Sequence, residues 1–321
     1  PQSQQHRLDQ ALGRLRQRVL ERTATTSATP RATEEKVVQL PWWHDLDRAI
    51  PNHLARSSLF APVARGRRAT HEGKVLTSRS DVQLRYWGVQ LDEPDSDVWM
   101  QALHEARRHP VGAPVPVVRS HFLKSLGRHI GSTDYGWLHE SFLRLSLGML
   151  EIKTRKYTVG EVPGDAAPSK GIHRVLHLID GFDLDEELDT YVLRIDRRMV
   201  RLFSNREFAL IDWEKRLQIK VQRDMAKALQ RLVATSSDAT QRHSLAWLKD
   251  KLQYSSPISK FRQPVLAAAA GTAATGRPPG TVRGAGGGLR RHLRSVASLL
   301  GPGPGPGHPG GRRPVSGLYG R

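Results

Sequence analysis

The sequence predicts an α+β protein in which two helix-turn-helix blocks follow one another. A detached helix stands before them and a low-complexity tail after them. Three observations lead there. Apolar residues alternate with polar ones over residues 75–91 and 150–159, as in half-buried strands, whereas the stretches between repeat their apolar residues at helical spacing. Twice, two helical segments meet at a turn signal. At Pro264 the composition changes abruptly, from Leu, Asp, Lys and Gln to Ala, Gly, Pro and Arg.

Bulk chemistry narrows the function before any motif is considered. The 321 residues hold 50 Lys or Arg and 31 Asp or Glu, a formal charge of +19, which points to a polyanionic partner. Cysteine is absent, and with it go disulfides, thiolate nucleophiles and Cys-based zinc or iron–sulfur sites. No stretch nears the roughly 18 consecutive apolar residues that span a bilayer. The polar N-terminus is no signal peptide, and starting at Pro1 it implies an origin other than an ordinary start codon. A cytoplasmic protein without membrane contact is expected.

In chain order, Leu8, Leu12, Leu15 and Val19 form one apolar stripe, and residues 23–30 are a Thr/Ser/Ala linker, so residues 1–36 read as a helix and tether. Residues 37–204 read as the first domain. Val75, Val82, Leu84, Tyr86 and Val89 mark strands around a turn at Ser80-Asp81, and Val98, Trp99, Ala102, Leu103 and Ala106 mark a helix stopped by His109-Pro110. Ser120 caps a short helix bearing Phe122, Leu123 and Leu126. Gly127 breaks it, and Ser132 caps a second helix bearing Leu138, Phe142 and Leu145. Residues 150–159 then alternate apolar and basic, residues 160–171 form a loop, and residues 172–179 and 191–195 read as return strands. A hairpin there would be a wing, gripping phosphates with Lys153, Arg155 and Lys156. Thr133, Asp134, Tyr135 and His139, near the start of the second helix, are the candidate base contacts. An ordinary solvated hairpin carries the same pattern.

Residues 205–263 read as a second, truncated block. An amphipathic helix over 219–232 shows Lys220, Arg223, Lys227 and Arg231 on its polar face. Leu245, Leu248 and Leu252 lie on a second helix, and Ser255-Ser256-Pro257 starts a third with Lys260 and Arg262 on it. Residues 264–321 hold eight Arg, no Lys, Asp or Glu, 15 of the 28 Gly and 8 of the 20 Pro, and are expected to be disordered. A shifted reading frame in GC-rich DNA would give that composition, and so would a natural basic tail.

Pro41-Trp42-Trp43, Arg48-Ala49-Ile50-Pro51-Asn52, Ala55-Arg56-Ser57-Ser58-Leu59-Phe60, Gly73-Lys74-Val75, Gly88-Val89-Gln90-Leu91 and Val98-Trp99 resemble, in order and spacing, the TrfA-type plasmid replication initiators. Pro110 to Pro114, Met199 to Phe203 and Trp213-Glu214-Lys215 continue the resemblance, which covers residues 37–262. It implies two tandem winged-helix domains that bind repeated origin sequences (iterons), open the adjacent A·T-rich DNA and bring in the host initiator and replicative helicase. It implies a monomer/homodimer equilibrium as well. The family's clamp-contacting Gln-Leu-Ser-Leu-Phe is reduced here to Gln39-Leu40 before Pro41-Trp42-Trp43, which argues against sliding-clamp binding. The last recognition helix and wing should follow Ser256, where this chain instead approaches the tail.

Catalysis finds no support. Gly73-Lys74-Val75 lacks the upstream Gly and the Ser/Thr of a phosphate-binding loop. His173 and His177 form a lone pair without a carboxylate, His139-Glu140 lacks the second His of a zincin, and the acidic run over 183–189 lacks EF-hand spacing and reads as a solvated turn. The seven Trp fall mostly at apolar-periodic positions and belong in the core. No cofactor is expected. A plasmid replication initiator is therefore the leading reading, with a winged-helix transcription regulator second and a ribonucleoprotein component third. Direct repeats of roughly 17–22 base pairs beside the gene would mark the first, a palindrome the second and neither the third.

Overall fold

The computed structural model describes residues 38–62, 68–154, 158–159, 175–219, 223–238, 241–254 and 256–274. The expected N-terminal helix, the loop over 160–171 and the tail past residue 274 lie outside these residues, as do Arg155, Lys156 and Lys220.

Strand β1 (Asp47–Pro51) leads directly into a single helical turn, α1 (Asn52–Ala55), and β2 (Phe60–Ala61). Strands β3 (Thr70–Leu76) and β4 (Val82–Val89) pair antiparallel, as the alternation predicts, and β5 (Leu91–Asp92) pairs parallel with β2. Helix α2 (Glu93–Ala106) starts five residues earlier than its apolar spacing suggests, because Asp92 and Asp95 make a capping box. The Asp92 carboxylate accepts from the Asp95 N–H at 2.9 Å, the Asp95 carboxylate accepts from the Asp92 N–H at 3.2 Å, and Pro94 sits in the first turn. Val98, Trp99, Ala102 and Leu103 are fully buried, making α2 the central helix of the first core.

Next come β6 (Val115–Val118), α3 (Arg119–Ser125) and α4 (Ser132–Leu147), the two helices expected on either side of Gly127. Beyond α4 the expected wing is rearranged. Strand β7 (Met149–Thr154) carries one Lys and one Glu; it pairs with part of its expected return strand as β9 (Leu176–His177) and with the short β8 (Thr158–Val159), but its longest pairing is with β4, along Val82↔Thr154 to Trp87↔Met149. The acidic run is not a plain turn. Gly181–Asp185 forms β10, which pairs with β11 (Thr190–Arg194), and β11 in turn pairs with β6, giving the order β10-β11-β6. Alternation located β3, β4, β7, β9 and β11 but not β1, β2, β6, β10 or β12, and strand partners are chosen by packing far along the chain.

The boundary expected at residue 204 lies inside the first core. Past a 3-10 stretch (Arg197–Arg206), β12 (Phe208–Asp212) pairs with β1 from Asp47↔Asp212 to Pro51↔Phe208. Ala209, Ile211 and Trp213 join the same apolar cluster as Trp43 and Trp99. Helix α5 (Trp213–Gln218), capped by Asp212, then leads to α6 (Asp224–Val233), α7 (Leu245–Lys251) and α8 (Ile258–Ala274). These form a separate apolar cluster around Leu229, Leu248 and Phe261.

Helix α8 corrects the expectation that order ends at residue 263. Phe261, Val265, Ala268 and Ala269 recur at helical spacing and are buried against α6, so the apolar face runs through the change in composition. Pro264 is accommodated inside the helix. Its ring removes only a bond to the carbonyl of the exposed Lys260, which water can satisfy.

The two clusters meet through charge. Glu93 and Asp97, in the first turns of α2, face Arg216 of α5 with Lys227 and Arg231 of α6. Arg216 Nη2 donates to Glu93 at 2.8 Å, and Arg216 Nε donates to Asp97 at 2.5 Å. Lys227 Nζ reaches Asp97 at 2.5 Å, and Arg231 Nη2 reaches Glu93 at 2.6 Å. Arg231 also donates to the carbonyls of Ala55 and Phe60, both at 2.7 Å, beside the end of α1. Lys227 and Arg231 therefore face inward, contrary to the polar face that helical spacing assigned them. Burial raises the Asp97 carboxyl, but Arg216 and Lys227 outweigh it and hold that group below the usual range.

One buried histidine makes the fold acid-sensitive. Trp43 Nε1 donates to His104 Nδ1 at 3.2 Å, so the imidazole is neutral. Burial, followed by Arg48 and Arg107, pushes His104 down to about 3. An unfolded His takes up its proton near 6.5, so between the two values the unfolded chain binds more protons and stability drops as pH falls. The melting temperature is expected to decline from pH 7 to pH 5, and less steeply in His104→Gln, which keeps an acceptor for Trp43. Equal slopes would contradict this.

Candidate nucleic-acid interface

The α3–α4 block is held from behind. Phe122 and Phe142 pack with ring centroids 5.5 Å apart, and Trp213 Nε1 donates to the Ser125 carbonyl at 2.7 Å, tying the end of α3 to α5. Gly127 makes the turn with φ +66°, donates to the Lys124 carbonyl at 2.9 Å, and leaves room for only a 3.2 Å approach of a Cβ to Leu217 Cδ2. Gly127→Ala is expected to cost about 1 kcal/mol in urea denaturation. An unchanged midpoint would show that the turn is unconstrained.

Helix α4 sorts its expected base contacts into two sets. Thr133 is exposed at its start, beside an exposed turn carrying His129, Ile130 and Gly131 and downstream of the exposed Lys124. Asp134 is half-buried and accepts from Arg128 at 2.9 Å, while the Arg128 guanidinium lies 3.3 Å from the Trp137 ring centroid. Tyr135 and His139 face the β10–β11 hairpin. Arg119 lies 4.5 Å from the Tyr135 ring centroid and pairs with Asp189 at 2.5 Å, and His139 Nδ1 is 3.1 Å from Tyr191 Oη. Arg119, Tyr135, His139 and Tyr191 line a groove of about 410 Å3 together with Gly136, Glu140, Leu184 and Glu186. Alone of the four, Thr133 is exposed and free of a side-chain partner among the described residues.

The hairpin tip Glu186-Glu187-Leu188-Asp189 is acidic and exposes Leu188, so it suits no phosphate. Lys153, expected on the wing, lies on β7 and pairs with Glu151 at 2.9 Å. Arg223 stands exposed at the start of α6, whereas Lys227 belongs to the buried network.

The last helix presents a different surface. Opposite its buried residues, α8 exposes Ser259, Lys260, Arg262, Gln263 and Leu266. Among the described residues neither Lys260 nor Arg262 pairs with an acid, and their long stems leave both charges in water. Helix α7, capped by Ser244 through the Trp247 N–H at 3.2 Å, precedes it, and exposed Arg242 stands just upstream. The structure thus brings Lys260 and Arg262 onto one helix and separates them from Lys227.

Sequence reasoning missed the acid-rich start of α2. Asp92 and Asp95 serve Arg68 and Arg144, with Arg68 Nη1 and Arg144 Nη2 each 2.8 Å from Asp95, and Ser141 of α4 donates to Asp95 at 2.7 Å. Burial raises Asp95, but Arg144, Arg68 and Ser141 outweigh it and keep the carboxyl low. Asp92-Glu93-Pro94-Asp95-Ser96-Asp97 was the available signal: four carboxylates and a Pro at a helix start. Among the described residues no group of three or more His, Asp or Glu is arranged to hold a metal ion, and no helix is long and apolar enough to cross a membrane.

The plasmid replication initiator protein TrfA of Escherichia coli is 28% identical over 176 residues, which are 54% of this chain and 44% of that protein, so the chain spans less than half of that relative's length. Two crystal structures of domains 2 and 3 of RctB align at 11% identity, with TM-scores of 0.48 and 0.46, over 68% of this chain and 85% and 82% of theirs. The family profile of TrfA protein matches residues 13–238, from upstream of β1 through α6. Covering more than half of the sequence, that match shows that the chain belongs to the TrfA family.

Proposed function

We propose that this chain is a plasmid replication initiator that binds repeated origin DNA through two winged-helix modules and acts without a catalytic step of its own. Its membership of the TrfA family over residues 13–238 carries the reading, since the relative it matches bears that activity in its name. The order of elements supports the first module. A strand (β6), two helices (α3, α4) and a hairpin (β10–β11) whose second strand pairs with β6 follow the winged-helix plan. Helices α6, α7 and α8 supply the helical part of the second.

In this reading Thr133 and the exposed turn before α4 approach base edges, and Lys260, Arg262 and Arg223 contact phosphates. The acidic hairpin stays clear of the backbone. Binding would assist opening of adjacent A·T-rich DNA and recruitment of the host initiator and replicative helicase, in a cytoplasmic protein that exchanges between monomer and homodimer. Sliding-clamp contact through residues 39–43 is not part of the proposal, because Leu40 and Trp43 are buried in the core and leave Trp42 as the exposed aromatic.

Footprinting across the DNA flanking the gene tests this. Protection of direct repeats of about 20 base pairs, two helical turns, is expected, with affinity falling as salt rises by a log–log slope near −0.9 per phosphate neutralised. Protection of a lone palindrome, or of no site, would contradict it.

A further inference from the structure

The two apolar clusters share no hydrophobic seam around the α2 N-terminus. What joins them there is Glu93 and Asp97 against Arg216, Lys227 and Arg231. These groups are not at a wet surface: the Glu93 and Arg216 side chains are 0% exposed, Arg231 is 3% exposed and Asp97 is 10% exposed. Each acid takes two cations, and Arg231 is fixed further by backbone carbonyls of the α1–β2 segment. Outside this knot, Gln253 Nε2 donates to Ser58 Oγ at 2.9 Å and Lys251 Nζ donates to the Ser78 carbonyl, so polar bonds again bridge the clusters.

A joint of this kind behaves differently from an apolar one. Apolar faces can slide with small loss, because burial depends on area and not direction. Buried charges are satisfied in one arrangement alone, and a shift of a few ångströms strands them away from water. The network lies between the first block, reached through α2, Asp95 and Ser141 of α4, and the second, reached through α6, on which α8 packs.

We infer that Glu93 and Asp97, with Arg216, Lys227 and Arg231, are a positioning joint that fixes the distance and angle between α4 and α8, and so sets which spacing of half-sites within one repeat the chain accepts. The geometry of the joint stands on the structure alone; its consequence for spacing rests on the DNA-binding reading above. The joint residues touch no DNA in this account.

The chain has no cysteine, so Thr133→Cys with Gln263→Cys in the full-length protein gives two nitroxide labels, one on each helix. Pulsed electron resonance on the free protein should give one narrow distance. Asp97→Asn or Lys227→Met should broaden it, and Lys227→Arg should restore it. Should Asp97→Asn fail to fold, Lys227→Met carries the comparison, since it removes one partly exposed ammonium and leaves Asp97 paired with Arg216. The second arm uses repeat DNA with two base pairs inserted at its centre. The parent protein should lose about tenfold or more in affinity, and the broadened variant should lose less than about threefold. A distance in Lys227→Met as narrow as in the parent overturns the joint, and so does undiminished spacing discrimination in a broadened variant. If the parent binds no repeat, the DNA-binding reading fails while the distance arm still decides the joint.

Discussion

Glu93→Ala is expected to destabilise the fold by about 3–5 kcal/mol, enough to abolish a cooperative urea transition if the total lies near the low end of the usual range of roughly 5–15 kcal/mol. The size follows from what is left behind. Arg216 and Arg231 each lose a carboxylate, at 2.8 and 2.6 Å, while their side chains stay out of solvent. Two guanidiniums would then crowd an apolar site with Asp97 as their remaining acid. Glu93→Gln, which keeps the shape and two acceptor or donor positions, should cost less, and Glu186→Ala at the exposed hairpin tip should cost almost nothing. Denaturation midpoints of the three variants measure the order. Comparable losses for Glu93→Ala and Glu186→Ala would mean that the network is solvated.

The second large effect concerns binding. Lys260→Ala with Arg262→Ala is expected to weaken repeat-DNA affinity about ten- to a hundredfold at moderate salt and to reduce the log–log salt slope by about 2, one phosphate for each charge. Both residues are exposed on α8 and make no ion pair among the described residues, so stability should hold within about 0.5 kcal/mol. Lys227→Ala should do the reverse, because its ammonium lies 2.5 Å from Asp97: a loss of stability with little change of salt slope in whatever remains folded. Titration of labelled repeat DNA at several salt concentrations separates the two.

That contrast shows what a sequence can and cannot disclose. Helical spacing put Lys227 and Arg231 opposite Leu229 and Leu232, which is correct, and from there assigned them to water. Whether a polar face meets solvent or a buried carboxylate some 130 residues away in the chain depends on tertiary packing, which periodicity does not record. Strand existence was legible for the same reason that strand partnership was not. Residues 150–154 read as a strand, and part of the return strand expected at 172–179 pairs with them as β9, but the longer pairing with β4 is settled by which faces bury Leu150 and Ile152. Gly127 is a local signal and makes the expected turn, but the caps expected at Ser120 and Ser132 are not made: α3 follows Val118 and α4 follows Gly131, neither with a side-chain cap bond. The change of composition at Pro264 drew attention to Gly, Ala and Arg and away from Val265, Ala268 and Ala269, which continue the buried face of α8. In the candidate interface, Thr133, Lys260 and Arg262 were legible as exposed polar positions. Tyr135 and His139 were not, because the hairpin they face begins 42 residues beyond His139 at β10 and was read as a turn.

Both helical blocks are expected to address one DNA repeat. Hydroxyl-radical footprinting of the full chain on a single repeat tests it most directly. Two protected patches about ten base pairs apart on one face of the duplex are expected, and Lys260→Ala with Arg262→Ala should erase one of them while the other persists. A single patch, or two patches that fade together in that variant, would contradict the claim.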